Sequence, residues 1–284
     1  MANPQLVRDL IDAGIHFGHR QSRWNPKMKP YIYGKRNLIH IIDVRETLKG
    51  MLAAKRFLNK LVASGKDVVF VGTKRQARSV IEEVGKRTGM PYVAERWLGG
   101  TLTNYRTIRS RLQRLEELEQ ILQSPDVSKN FSKKMESSLK REYRKILRNL
   151  SGIRTMDRLP GAIFVVDVKR EHIAVREAQK INIPVIALID TDSDPDEVDI
   201  AIPGNDDAMR AIELILKEVG EAIVEGKAGR QQKEEVEKTE GGPRRDRPRR
   251  RTTSQQAAEE TSAEKPAEVA PVEEPAAAAP GTTA

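Results

Sequence analysis

The sequence predicts an α/β protein built on a mainly parallel sheet of flavodoxin- or Rossmann-like type. Three observations predict it. Segments 67–72 (DVVFVG), 161–168 (GAIFVVDV) and 183–190 (IPVIALID) are continuous, largely β-branched apolar runs, as expected of strands buried on both faces. Segments of helical period alternate with them. One stretch, 104–150, breaks the alternation with two narrow apolar stripes.

Each element follows in order. Asn3-Pro4 opens a short helix, with Asn as cap and Pro at the first helical position, and Gly14 closes it. Residues 14–37 have no apolar period and are rich in Gly, Pro, cations and aromatics, which predicts an ordered loop. Residues 38–42 form a short apolar strand. Asp43 with Glu46 makes an Asp version of a capping box. The helix they start carries Leu48, Leu52, Phe57, Leu58 and Leu61 on one broad face and stops at Gly65. After the 67–72 strand come a helix over 74–87, a strand at 92–94, the 161–168 strand, a helix over 171–181, the 183–190 strand, a strand at 200–202 and a last helix over 206–225.

In the interrupting stretch, Ile108, Leu112, Leu115, Leu118 and Leu122 step by three and four, as do Met135, Leu139, Tyr143, Ile146 and Leu150. With Ser124-Pro125-Asp126 as the turn, they predict an antiparallel helical hairpin paired like a short coiled coil. Residues 229–284 have no aromatic residue and end in Ala/Pro/Thr runs, too little apolar surface to offset the entropy of ordering them. The expected organisation is therefore an α/β domain over 1–103 and 151–228, an inserted hairpin over 104–150, and a disordered tail over 229–284.

The charge is uneven. The 284 residues carry 50 Lys+Arg against 41 Asp+Glu, a net of +9. The tail contributes −1 with its cations clustered at 244–251, residues 1–228 contribute +10, and 104–150 alone contributes +6. Lys140, Arg144 and Arg148 share one helix face. Such an excess points to a polyanionic partner.

Several chemistries are excluded. The chain has no cysteine, hence no disulfide framework, thiolate zinc finger, iron–sulfur cluster or Cys nucleophile. No apolar run reaches the length of a membrane span, and no signal-peptide core is present, so a soluble intracellular protein is expected. The turns after the first two long strands, VGTKRQAR and DVKREH, lack the glycines of a dinucleotide or P-loop site. There is no nucleophile elbow. The run from Asp190 to Asp196 begins like a calcium loop, but Pro195 stands where the turn Gly belongs and Ala201 where the bidentate Glu belongs. His16 and His19, with nearby Asp residues, are the candidate ligands for a divalent metal. No other cofactor is expected. The alternative to a binding protein is an α/β nucleotide-binding enzyme with an atypical phosphate site.

Three segments suit nucleic acid. Residues 19–37 hold six cations (Arg20, Arg23, Lys27, Lys29, Lys35 and Arg36), no acid, and Trp24, Tyr31 and Tyr33. Cations attract phosphates, and aromatic faces stack on exposed bases, although Trp24 and the tyrosines could equally anchor the loop. Residues 73–78 place Lys74 and Arg75 where a strand turns into a helix, a position suited to an anion. Residues 95–104 offer Arg96 and Asn104 beside Trp97 and Leu98, which read better as anchors.

The strings HFGHRQSRWNPKMKPYIYGKRN, FVGTKRQA, RWLGGTLTN, LPGAIFVVDV, IPVIALIDTDSDPD and IPGNDDA, in this order, resemble the second ribosomal protein family of the bacterial small subunit, over about residues 5–226. The resemblance implies a flavodoxin-like domain with an inserted helical hairpin and a structural, non-enzymatic role in the cytoplasmic ribosome. It implies contacts with small-subunit rRNA through the cations named above, and recruitment of the large mRNA-binding ribosomal protein one. The family's acidic surface near its histidine loop would correspond to Asp190, Asp192, Asp206 and Asp207, as a partner-protein or metal-assisted docking site. The long tail departs from the short form of the family.

Overall fold

Strands that are apolar on both faces must be covered on both sides, and the chain does this around one parallel sheet. A computed structural model describes residues 4–124 and 131–240, with side chains to residue 230. Asn3, Pro125, Asp126 and everything beyond residue 240, the arginine cluster included, lie outside the described residues.

In chain order, α1 (Pro4–Asp12) leads into β1 (Phe17–Arg20). Two 3₁₀ turns, Gln21–Arg23 and Pro26–Tyr31, connect it to β2 (Ile32–Arg36) and β3 (Ile39–Ile42). These three strands form a separate antiparallel sheet in the order β1-β3-β2. The loop expected over 14–37 is thus corrected. Its strands are short, bulged and half-exposed, so they carry no periodic apolar signal. The 38–42 strand belongs to this sheet and not to the main one.

Next come α2 (Val44–Ala63), β4 (Val68–Val71), α3 (Arg78–Thr88) and β5 (Tyr92–Val93). Asp43 caps α2 by accepting from the Arg45 N–H. The buried face of α2 is Thr47, Met51, Ala54, Leu58 and Val62, while Leu52 is exposed. Of the expected stripe, Leu58 is buried and Leu48, Phe57 and Leu61 pack against the same core, so Leu52 alone falls outside the inner face. Helix α3 starts four residues later than predicted. The Lys74 carbonyl accepts from the Ala77 and Arg78 N–H groups, closing a tight turn, and the Lys74 side chain is drawn inward.

Helices α4 (Tyr105–Gln123) and α5 (Lys133–Leu150) fill the interrupting stretch. They pack on each other, with Tyr143 donating to Glu119 and Arg114 to Glu142, and Tyr105 at the start of α4 donates to the Met156 carbonyl just beyond α5. Leu115 and Leu118 are fully buried, but Met135 of the predicted second stripe is 54% exposed. The base of the pair does not stand clear of the domain: Ile108, Leu112 and Leu150 join the core beneath Trp97.

The chain ends with β6 (Ala162–Val166), α6 (His172–Lys180), β7 (Val185–Ile189), β8 (Ile200–Pro203) and α7 (Met209–Glu240). The main sheet is wholly parallel in the order β5-β4-β6-β7-β8. Val68 and Phe70 face a core shared with Leu58, Ile81 and Ile215, and Val69 and Val71 face a second with Trp97 and Val175. The last helix runs past 225, and past the tail boundary expected at 229, to Glu240. No Gly or Pro interrupts residues 230–240, and the first breakers are Gly241-Gly242-Pro243.

Candidate nucleic-acid interface

The carboxyl ends of parallel strands, beside the switch in strand order, are where an α/β sheet usually takes a ligand. Here that edge lies between β4 and β6, and the small sheet packs over its β7 end. Gly18 of β1 makes the fit possible, since a Cβ there would come 2.6 Å from the Thr191 methyl. The His19 N–H donates to the Thr191 hydroxyl at 2.9 Å and the Asn25 N–H to the Thr191 carbonyl at 2.8 Å.

The edge is lined by carboxylates and by cations that they hold. The Lys74 ammonium lies 2.7 Å from Asp206, 2.6 Å from Asp207 and 3.6 Å from Asp167. Burial works against its charge, but Asp206 above all, with Asp207 and Asp167, outweighs burial and holds the amine above its ordinary pKa. Burial, with Asp167 and Asp190 nearby, pushes the Asp206 carboxyl up to about 7 against the pull of Lys74. His19 Nδ1 sits 2.8 Å from Asp190, and that hydrogen bond pushes the imidazole up to about 9. Burial lowers the pKa of His16 instead. Among the described residues the group that could hold a metal is His19, Asp206 and Asp207, whose ligand atoms lie within 4.8 Å of one another. His16 does not join this group among the described residues.

The 73–78 turn also differs from expectation. The anion at its N–H groups is the chain's own: Glu171 accepts from the Thr73 N–H at 2.8 Å and from its hydroxyl. Lys74 is buried and spent, whereas Arg75 is exposed. A phosphate brought to this edge would meet Asp167, Asp190, Asp206 and Asp207, an arrangement hostile to the nucleotide-site alternative. Of the acidic residues assigned to docking, Asp190 and Asp206 are buried; Asp192 is mostly covered and paired with Lys169, and Asp207 is 54% exposed.

In the 19–37 segment, Lys27 is held by Asp194 at 2.7 Å and Asp196 at 2.8 Å, so it locks the loop onto the β7–β8 connection. Arg20, Arg23, Lys29, Lys35 and Arg36 are exposed and form no ion pair among the described residues. Trp24 is half-buried with its ring against His40, so it serves as an anchor, whereas Tyr33 stands open.

In the 95–104 loop Trp97 is buried and Arg96 and Asn104 are exposed, the Asn104 side-chain Oδ1 accepting from the Thr107 hydroxyl. Sequence reasoning missed the organiser of this loop. Glu177 of α6 accepts from the Trp97 indole at 3.2 Å, from the Gly100, Leu102 and Thr103 N–H groups at 2.7, 3.0 and 3.2 Å, and from the Thr103 hydroxyl. Burial raises its pKa, but these donors overcome burial and leave it below the ordinary carboxylate value. The only trace in sequence is a carboxylate beside the apolar Ala174, Val175 and Ala178 face. On the hairpin, Lys140 pairs with Glu136, the Arg144 guanidinium donates to the Lys140 carbonyl, and Arg148 is exposed without an ion-pair partner among the described residues.

Known proteins are similar to this sequence. The pattern of the ribosomal protein S2 family matches residues 10–226. The small ribosomal subunit protein uS2 of Rhodopirellula baltica is 57% identical over 243 residues, 86% of this chain and 92% of that protein. The proteins of the same name from Thermus thermophilus and Thermobifida fusca are 52% and 50% identical over 223 and 226 residues. Those alignments cover 78% and 80% of this chain, and 87% and 77% of the relatives.

Proposed function

The chain belongs to the ribosomal protein S2 family, and from that premise we propose that it grips small-subunit rRNA through its free exposed cations and helps to dock ribosomal protein one. It is a structural ribosomal protein of the small subunit and not an enzyme. The observation that carries the RNA reading is the sorting of its cations. Lys27 and Lys74 are neutralised internally, while Arg20, Arg23, Lys29, Lys35, Arg36, Arg75 and Arg96 face solvent without an acidic partner among the described residues. Such residues release counterions on meeting phosphate, so affinity falls steeply with salt. The hairpin adds Arg148, with Lys140 and Arg144 on the same face.

The test is binding to a small-subunit rRNA transcript across a salt series, alongside sedimentation of the tagged chain with small subunits. Replacing Arg23, Lys29 and Lys35 by Gln is expected to reduce the log–log salt slope by about one per lost phosphate contact. Reversing the charge of Lys140, Arg144 and Arg148 is expected to weaken binding as well. Unchanged slopes would remove the corresponding surface from the proposal.

The docking reading rests on Asp207, the solvent-facing carboxylate of the His19 edge. The variant Asp207→Asn is expected to lower capture of protein one by the intact subunit while leaving rRNA affinity unchanged. Equal capture by both forms would refute it.

A further inference from the structure

Features that folding does not explain gather on the small sheet, on its outer face and at the turn that joins β2 to β3. The first is Leu38. Arg36 pairs with Ile39, so Asn37 and Leu38 alone connect β2 to β3. Their φ values are 50° and 63°, the pattern of a two-residue hairpin turn that favours Asn-Gly. Asn suits its position. Leu does not, because its Cβ crowds the backbone in the left-handed region. Nor does burial compensate, since Leu38 is 73% exposed. Strain held at an exposed apolar side chain marks a position kept for something other than folding.

The second is Gly34 of β2. Its φ is ordinary, and a Cβ built there would meet nothing within 4 Å. Neither the backbone nor the packing requires glycine. A bare position in an exposed strand admits close approach by another molecule.

The third is what shares that face. Phe17 and Gly34 both pair with Ile41, and Arg20 and Arg36 both pair with Ile39. Residues directly opposite in an antiparallel ladder project to one side. The alternate residues, His40 and Ile42, are buried on the other side. The open face therefore carries an exposed aromatic ring (Phe17, 48% exposed), a half-buried isoleucine strip, a bare glycine and two arginines flanking Ile39, and at its β1 edge Arg20 and Ile39 share a cleft with Asp190 and Asp207. Neither arginine has an acidic partner among the described residues.

This combination suits one kind of ligand. Aromatic faces stack on unpaired bases, and guanidinium groups bind phosphate. Paired RNA hides its base faces, so only a splayed nucleotide of a loop or bulge can use the ring and the apolar strip. We propose that the small β1-β3-β2 sheet is a subsite for unstacked RNA nucleotides: one base lies against Phe17 on the outer face, a neighbouring base against Leu38 at the turn, the sugar–phosphate backbone passes over Gly34, and Arg20 and Arg36 hold the phosphates. The inference rests on the rRNA-binding reading and narrows it from phosphate attraction to recognition of a single-stranded element.

The test uses the full chain with variants Leu38→Gly, Gly34→Val and Phe17→Ser. The small-subunit rRNA transcript is the probe, and a perfect RNA duplex of equal charge is the comparison. Leu38→Gly relieves the strained turn, so its Tm should hold or rise while rRNA affinity falls about tenfold, the scale of one lost base contact. Gly34→Val should weaken rRNA binding with Tm unchanged. Duplex binding should be the same for all variants. Wild-type binding that is steep in salt, with every folded variant within about twofold of it, would overturn the subsite and leave the rRNA reading intact. Loss of sedimentation with small subunits at unchanged rRNA affinity would overturn it in favour of a protein partner on this face. No wild-type affinity for the transcript would overturn both.

Discussion

Replacing Glu177 by Ala removes one carboxylate and strands four N–H donors and a hydroxyl contributed by the 97–103 loop. Two of those donors, the Trp97 indole and the Leu102 N–H, are buried, and water cannot replace the lost acceptor. A buried donor left without a partner costs about 1–3 kcal/mol. The Gly100 and Thr103 groups are part-buried and can recover hydrogen bonds to solvent. The expected loss is therefore about 2–6 kcal/mol, or about 4–24 °C in Tm for a chain of this size. Urea unfolding followed by circular dichroism measures it, with the m-value unchanged if only the native state is affected. The variant Glu177→Gln keeps one carbonyl acceptor but turns an amide donor toward other donors, so it should lose an intermediate amount. The carboxyl is held below its ordinary pKa, so its contribution is complete above the unfolded value and fades as pH falls through the folded one. Glu177→Gln should remove that acid limb. A loss under about 1 kcal/mol for Glu177→Ala would show that the loop is held by Trp97 packing alone, and the hydrogen-bond reasoning would be wrong.

Three other perturbations separate internal from external roles. Lys74→Met leaves Asp206 buried without its cation and is expected to cost about 3–5 kcal/mol in denaturant, with the salt slope of rRNA binding unchanged; a reduced slope at full stability would make Lys74 a phosphate contact instead. The His19 pKa is raised to about 9, so its stabilising contribution is full below 6.5 and disappears as pH rises through about 9. His19→Gln should flatten stability over that window, and an imidazole NMR midpoint near 6.5 would contradict the Asp190 contact. In Gly50→Ala the new Cβ would meet the Ala201 carbonyl at 2.2 Å, so Tm should fall although Ala favours the helix by up to about 1 kcal/mol; a rise in Tm would mean that α2 does not lie this close to β8.

Much of the fold can be read in the residues. The runs at 67–72, 161–168 and 183–190 are apolar because strands covered on both faces leave no polar alternation, and each lies in the parallel sheet as predicted. Gly14 and Gly65 stop helices because both adopt positive φ. The small sheet is invisible in sequence for the converse reason. Its strands are four or five residues long, interrupted by bulges, and rich in residues that face solvent. In α2 the period showed the inner face, with Leu48, Phe57, Leu58 and Leu61 on the core and Leu52 alone outside it, but the small residues that also face the core, such as Ala54, carry little signal in sequence.

The candidate interface divides along the same line. Composition and spacing alone determined the parallel sheet, the inserted helices, the missing phosphate loops and the basic character of residues 19–37. These properties are set by neighbours in the chain. Only the tertiary structure decided which cations are available. Lys27 and Lys35 look alike in sequence, yet one is clamped by Asp194 and Asp196 and the other is free. Lys74 looks like an anion ligand and is neutralised by Asp206, 132 residues further on. Glu177 has almost no local signal in the sequence and organises a loop 74 to 80 residues before it. An ion pair closed across such distances requires only that two side chains meet once the sheet has formed, and it imposes no pattern on either local segment.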